Sequence, residues 1–429
     1  MPASAAFERR LDAVLDDVAQ HFGTPFYLYD EIGIEETARR VNQAFSGVSF
    51  REHYAVKAVT NPRILRILAR NGCGFDCGSV PDLNTAAAAG ATGHDIVFSA
   101  NNATPAELAA AVERDALVNL DDMAALDKLP TVPRTLCFRL NPGVLVLDDR
   151  PELSTTDQKF GMRPDQVVEA VRWALARGAR RFGLHAMVVT NQRESAILLR
   201  TLAFLLETAD ELRRSTGVEI AFVDLGGGLG IPFRPGEAEL DVEGLGLAVT
   251  RMLTGWALER GIATPTLVLE SGRYMSGPHG VLVGRVTNRM RKWRTFVGVD
   301  TGVSAMMRPA LYDTAYHHIS VHRGRGRPTE VVDVVGSMCE NNDKLGTARE
   351  LPVTAEGDLV YVHDVGAHGY SMGFTYNNRL RPKELLLRAD GVVELVRRAE
   401  TERDHFATLN FDHDTFTPAY VGALAGGVG

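Results

Sequence analysis

The sequence predicts an α/β protein of two domains: a (β/α)8 TIM barrel over residues 34–279, and a second, mostly antiparallel β-barrel or sandwich domain built from 1–33 and 280–429. Three observations predict it. From about residue 34, short strand-like runs alternate with helical stretches. After about residue 280, strand-like runs follow one another with only turns between them. The side chains able to do chemistry fall at the C-terminal ends of the early strands, where barrels of this kind carry their sites.

The elements follow in order. Residues 8–21 predict an amphipathic helix, and TPFYLYD (24–30) a strand that can pair into the second domain. The barrel strands are SFREHYAV (49–56), CGFD (73–76), IVFS (96–99), LVNL (117–120), TLCFRL (135–140), RFGLHAM (181–187), IAFVDL (220–225) and TLVLE (266–270). Helical stretches lie between them, among them NPRILRILARNG (61–72), PDLNTAAAAG (81–90) and a long one near 192–215. VLVGRVTNRM, RTFVGVD, TEVVDVVG, DLVYVHDV and KELLLRADGVVELVRR predict the strands of the second domain.

Composition narrows the function. The chain has 429 residues, 45% hydrophobic and 23% charged, as in ordinary globular proteins. A formal net charge of −8 argues against nucleic acid as a partner. No apolar run reaches membrane-spanning length, and MPASAAFERRLDAV has no signal-peptide core, so a cytoplasmic protein with no membrane partner is expected. Of the four cysteines, Cys73 and Cys77 lack a second pair or a nearby histidine, and no metal site is expected.

The chemistry starts at Lys57, which ends the first barrel strand. Asp76 ends the second, Arg139 lies near the end of the fifth, and His185 and Met187 near the end of the sixth. Gly226-Gly227-Gly228 follows the seventh strand and Glu270 ends the eighth. Three successive glycines let backbone approach an anion and offer N–H donors, although a tight turn alone could also require them. A lysine can serve for covalent attachment if its surroundings favour the neutral amine during exchange. Glu270 can serve as the partner of a ring nitrogen, or pair with Arg273 within ESGR. Together with the remote pair Cys339-Glu340 in CENND, these residues suggest pyridoxal phosphate chemistry.

In order and spacing the motifs resemble the fold-type III pyridoxal-phosphate decarboxylases, most closely diaminopimelate decarboxylase. The resemblance runs from FYLYD to HFATL near residue 409. It implies pyridoxal 5'-phosphate as cofactor, a small amino-acid substrate, and a homodimer with shared active sites. It makes Lys57 the cofactor-binding lysine, with Asp76 (in FDCGS) beside it and Glu270 facing the pyridine nitrogen. It gives the phosphate loop to Gly226, Gly227 and Gly228, with Thr190, Gly272, Arg273 and His368 around the cofactor. It implies that Arg273, Arg308 and Tyr312 hold the substrate's distal carboxylate. It also implies that Cys339 and Glu340 reach the site from the second subunit, the cysteine to protonate Cα and the glutamate to meet the distal ammonium.

The chain departs from that family at three places. Met187 falls where an imidazole usually stacks on the cofactor, with His185 inward on the same strand parity. His368 replaces a tyrosine in a GAYG-like motif, and Ser271 replaces a proline. The expected activity is decarboxylation of meso-diaminopimelate to L-lysine. The rivals are decarboxylation of another amino acid with a distal carboxylate or amine, a racemase on the same barrel, and a non-catalytic homologue.

Overall fold

The computed structural model describes residues 4–147 and 150–409; residues 410–429 of the expected second domain lie outside that range. Eight parallel strands close into a barrel: Phe50–Ala55, Gly74–Cys77, Ile96–Phe98, Leu117–Leu120, Thr135–Arg139, Arg181–His185, Phe222–Asp224 and Thr266–Leu269. The last pairs with the first, Leu267 opposite Phe50, so no barrel strand has a free edge.

Side-chain alternation sorts the barrel interior into layers. Val97, Leu117, Cys137, Phe222 and Val268 form a buried apolar cluster across five strands. Two residues further along each of those strands, on the same face, stand Ser99, Asn119, Arg139, Asp224 and Glu270. The sixth strand follows the same step, from Gly183 to His185. A Cβ at Gly183 would sit 2.0 Å from the Phe222 ring, so the missing side chain gives that ring its place. The barrel thus has an apolar floor and a polar layer above it, at the end where the connecting loops can reach.

Local sequence explains the connections. Asn61, Ser79 and Thr104 cap the helices Pro62–Arg70, Val80–Ala89 and Pro105–Glu113, each with proline in its first turn. Two connections differ from a plain strand–helix repeat. The fourth strand is followed only by the 3-10 segment Met123–Lys128, which Asp122 starts through the Ala124 N–H and Pro130 limits. A hairpin, Val144–Leu147 with Arg150–Ser154, precedes the helix Pro164–Ala176 after the fifth strand.

The second domain is built on a nine-stranded sheet. Phe26–Asp30 lies between Gly280–Arg291 (antiparallel) and Lys383–Leu387 (parallel), as the aromatic TPFYLYD run predicts. Thr295–Val299 and Thr329–Val335 make the other parallel pairing; the remaining ones are antiparallel. Two strands, Ile319–Val321 and Lys344–Pro352, go beyond those the sequence predicts. The helix Ala5–Phe22 presents Phe7, Leu11, Leu15 and Val18 at helical spacing to Phe26, Leu28, Val281 and Leu385. No helix among the described residues is long and apolar enough to cross a membrane.

A buried carboxylate fastens this domain to the barrel. Glu384 is 1% exposed and accepts from Tyr29 Oη at 2.7 Å, from Asn61 Nδ2 at 3.0 Å and from Arg397. Removing it strands three polar groups, one of them a cation. Glu384→Ala is expected to lower unfolding free energy by about 3–5 kcal/mol, read from urea midpoints. A loss under about 1 kcal/mol would show that water replaces the carboxylate freely.

Candidate active site

Lys57 sits in a short 3-10 turn, Val56–Ala58, directly after the first barrel strand. Its Nζ donates to Asp76 Oδ2 at 3.0 Å. The Lys57 side chain is 61% exposed in the barrel mouth, while Asp76 is 2% exposed. The Asp76 charge raises the lysine pKa above its ordinary value, against the opposing effect of burial. The paired carboxylate thus favours Lys57 as an ammonium, and the proton must leave before the amine can react.

Below it lies the polar layer. His185 Nδ1 is 2.7 Å from Asn119 Nδ2, and its Nε2 is 3.6 Å from Glu270 Oε2. Burial, Arg139 and Lys57 push the His185 pKa well below the usual range, so the ring is neutral. Its buried Nε2 has no hydrogen-bond partner. Glu270 accepts from Ser99 Oγ at 3.3 Å; burial, then Asp224 and Asp76, push its carboxyl well above the ordinary range. Asp224, also buried, is pushed up to about 7 by desolvation. Two carboxyls this close cannot easily both ionise, and a nearby proton donor or cation relieves them. His185, Asp224 and Glu270 also offer ligand atoms within 4.8 Å of one another, a metal-like spacing that the expectation of no metal site does not anticipate.

The glycine loop explains its own composition. Asp224 Oδ1 accepts from the Gly226 N–H at 2.7 Å, which fixes the turn. A Cβ at Gly226 would lie 2.8 Å from His185 Nε2 and from Met187 Cβ; one at Gly227 would lie 2.6 Å from the Glu270 carbonyl oxygen. Gly226 and Gly228 also have positive φ, 63° and 93°. The Gly227 and Gly228 N–H groups donate to no protein acceptor among the described residues. The expected strand through Met187 ends at His185; Met187 packs beside this loop just past it, and Thr190 stands exposed beyond.

The other wall comes from the second domain. His368 has φ 57°, and its N–H donates to the Ala58 carbonyl at 2.9 Å; Ser371 Oγ donates to the same oxygen at 3.2 Å. These bonds hold the Gly366–Tyr370 segment over the end of the first barrel strand. A Cβ on Gly272 would lie 2.8 Å from Ala58 Cβ and 3.7 Å from His368 Nε2, so Gly272 lets the eighth strand's loop close against both. Burial, Arg273 and Lys57 take the His368 pKa down to about 3.

Arg273, Arg308 and Tyr312 share one cavity of about 460 Å³, which Thr190 and Phe233 also line. The guanidinium carbons of Arg273 and Arg308 lie 5.6 and 5.1 Å from the Phe233 ring centre. His317 Nδ1–H donates to the His363 carbonyl at 2.8 Å, which leaves Nε2 to accept from Arg308 Nε at 3.3 Å. Arg273 Nη1 is buried without a partner, and burial with the Arg308 charge lowers its pKa to about 10. Two unneutralised guanidiniums and a phenol around one cavity are suited to a carboxylate.

Cys339 and Glu340 are not part of this assembly within one protomer. Both are exposed; the Cys339 N–H donates to Asn377 Oδ1 at 2.7 Å, and Glu340 Oε1 accepts from the Asn342 N–H. Cys73, Cys77 and Cys137 are buried free thiols.

The pyridoxal binding domain of the pyridoxal-dependent decarboxylases matches residues 32–277. The chain belongs to this family of pyridoxal-phosphate enzymes. A diaminopimelate decarboxylase of Methanothermobacter thermautotrophicus is 37% identical over 92% of each chain. Protein TabA of Pseudomonas amygdali pv. tabaci is 42% identical, over 97% of this chain and 99% of its own. The crystal structure of the M. jannaschii diaminopimelate decarboxylase with L-lysine superposes with a TM-score of 0.86, at 31% identity and 94% coverage of each chain. The family's amino-acid decarboxylases use pyridoxal phosphate, and the residues here suit it: an accessible lysine, unengaged loop N–H groups and a buried carboxyl in one barrel mouth.

Sequence reasoning missed Asp224, Asn119 and Glu52. A polar residue inside a four-residue apolar strand, as in LVNL, was the available signal. Glu52 Oε1 accepts from the Ser271 N–H at 2.7 Å, and burial raises its pKa to about 8. Its folded-state pKa lies above the ordinary 4.5, so its stabilising contribution is complete below pH 4.5 and fades as pH rises through about 8. Glu52→Gln keeps the acceptor and removes the titration. Urea midpoints at pH 5 and pH 8 are expected to differ less in the variant than in the parent; equal differences would contradict the assignment.

Proposed function

We propose that this chain is a homodimeric decarboxylase of an amino acid with a distal carboxylate, with meso-diaminopimelate as substrate and L-lysine as product. The observation that carries the reading is that Arg273, Arg308 and Tyr312 line one cavity together with Thr190. A substrate ending in an amine alone would meet two guanidiniums there and be repelled.

In this reading residues 34–279 hold the cofactor, and 1–33 with 280–429 complete the site across the dimer. Lys57 holds the cofactor covalently, Glu270 faces its ring nitrogen, and Gly226, Gly227 and Gly228 with Thr190 surround its phosphate. Asp76, His185, Gly272 and His368 shape the rest of the pocket. Bound pyridoxal phosphate supplies an electron sink for the pair left when the Cα–carboxylate bond breaks. Arg273, Arg308 and Tyr312 fix the far end of the substrate, which sets the carboxylate to be lost. The partner subunit's Cys339 gives a proton to Cα, and the partner subunit's Glu340 meets the distal ammonium.

Incubating cofactor-loaded protein with meso-diaminopimelate and identifying the product by chiral chromatography tests the reaction. L-lysine supports the reading; untouched substrate beside an intact cofactor spectrum removes it. The departures at Met187 and His368 favour a second reading, a decarboxylase of another amino acid in a specialised pathway.

Shared sites predict complementation. Lys57→Ala and Cys339→Ala proteins are each expected to be inactive, yet their mixed dimers contain one intact site. After subunit exchange, activity should recover to about a quarter of the parent's. No recovery, with mixed dimers verified by mass, would place both residues in one chain's site.

A further inference from the structure

A second cavity, about 340 Å³, adjoins the substrate cavity, with Arg234, Ala315 and Tyr316 lining both. The guanidinium carbon of Arg234 lies 4.3 Å from the Tyr316 ring centre, and that of Arg349 lies 3.7 Å from it. Neither guanidinium forms an ion pair with a carboxylate among the described residues; Glu237, which accepts from the Arg234 main-chain N–H, is paired with Arg193. The Arg349 Nε is buried and makes no hydrogen bond. Lys344, on the same cavity wall, pairs with Asp333 at 3.2 Å, a carboxylate it shares with Arg294, whereas Asp313 lines the cavity unpaired among the described residues.

Two like charges on one phenol ring repel each other, and cation–π attraction offsets that repulsion only in part. Burial, opposed by Tyr316 and helped by the Arg234 charge, lowers the Arg349 pKa. A substrate carboxylate already has Arg273, Arg308 and Tyr312, so this second guanidinium pair is surplus to that requirement. Planar donors in a fixed fork, held against a ring, are preorganised for an oxyanion.

We propose that Arg234 and Arg349, stacked on Tyr316, form a second oxyanion subsite that takes a carboxylate or phosphate group at the entrance to the substrate cavity. The subsite stands apart from the proposed reaction, since anion binding needs no turnover. The oxyanion comes from one of two sources: the arriving substrate's own carboxylate, or a free anion that controls entry.

The test uses the cofactor-loaded dimer, so that the glycine loop is filled, and titrates inorganic phosphate by calorimetry at low ionic strength. Arg349→Gln is expected to weaken phosphate binding about tenfold or more, while Arg308→Ala leaves it within about threefold. Arg349→Lys, which keeps the charge but loses the fork, should bind between these limits and controls for folding. In parallel, the KM for meso-diaminopimelate is measured in phosphate-free buffer. A KM raised by Arg349→Gln identifies the substrate's carboxylate as occupant; an unchanged KM with lost phosphate binding identifies the free anion. Phosphate binding lost in Arg308→Ala but kept in Arg349→Gln overturns the proposal. So does a parent that binds no phosphate and a variant with unchanged KM.

Discussion

Lys57→Ala is expected to abolish decarboxylation and the visible-edge absorbance of bound cofactor together. The lysine stands at the one point of the barrel mouth where an accessible amine, the Asp76 carboxylate and the buried Glu270 meet. Its pairing with Asp76 places the amine, and its exposure lets a carbonyl reach it. Losing both covalent anchorage and proton shuttling should lower kcat by at least about 10³-fold. Borohydride should bleach the parent's absorbance and leave nothing to bleach in the variant. An unchanged spectrum in Lys57→Ala would move the cofactor's attachment to another residue.

Arg308→Ala is expected to act on substrate and spare the cofactor. Arg308 is fixed from behind by the neutral His317, and the one carboxylate lining its cavity among the described residues, Glu237, is paired with Arg193 at 3.6 Å. One charge-assisted contact to a carboxylate is worth about 1.5–3 kcal/mol, or about 10- to 150-fold in kcat/KM. The loss should fall on KM for a dicarboxylic substrate, with the cofactor spectrum unchanged. A parallel loss of cofactor affinity would mean that Arg308 supports the barrel mouth and does not bind substrate.

Much of the fold was legible because each barrel strand is a short apolar run closed by a chemical residue. The period of two carries Leu117 to Asn119 and Val268 to Glu270 on one inner face, so the floor and the polar layer could both have been read from parity. The strands that escaped notice lack that contrast. Ile319–Val321 has three residues beside two histidines, and Lys344–Pro352 is polar, bulged and ends in proline. In the site, residues carried by motifs came together: Lys57 with Asp76, His185 with Glu270, and Arg273 with Arg308 and Tyr312. The proton balance at Lys57 was not legible, because it depends on how near Asp76 stands. Arg234 and Arg349 lie far apart in sequence, and only the folded chain sets them on the same tyrosine.

The most direct measurement is the initial rate of CO2 release by the cofactor-loaded protein, with meso-diaminopimelate, L-ornithine, L-lysine and L-glutamate compared at equal concentration. The account predicts rapid release from meso-diaminopimelate and little from the two amines without a distal carboxylate. Faster release from ornithine or lysine than from diaminopimelate would contradict the assignment of Arg273, Arg308 and Tyr312 to a distal carboxylate.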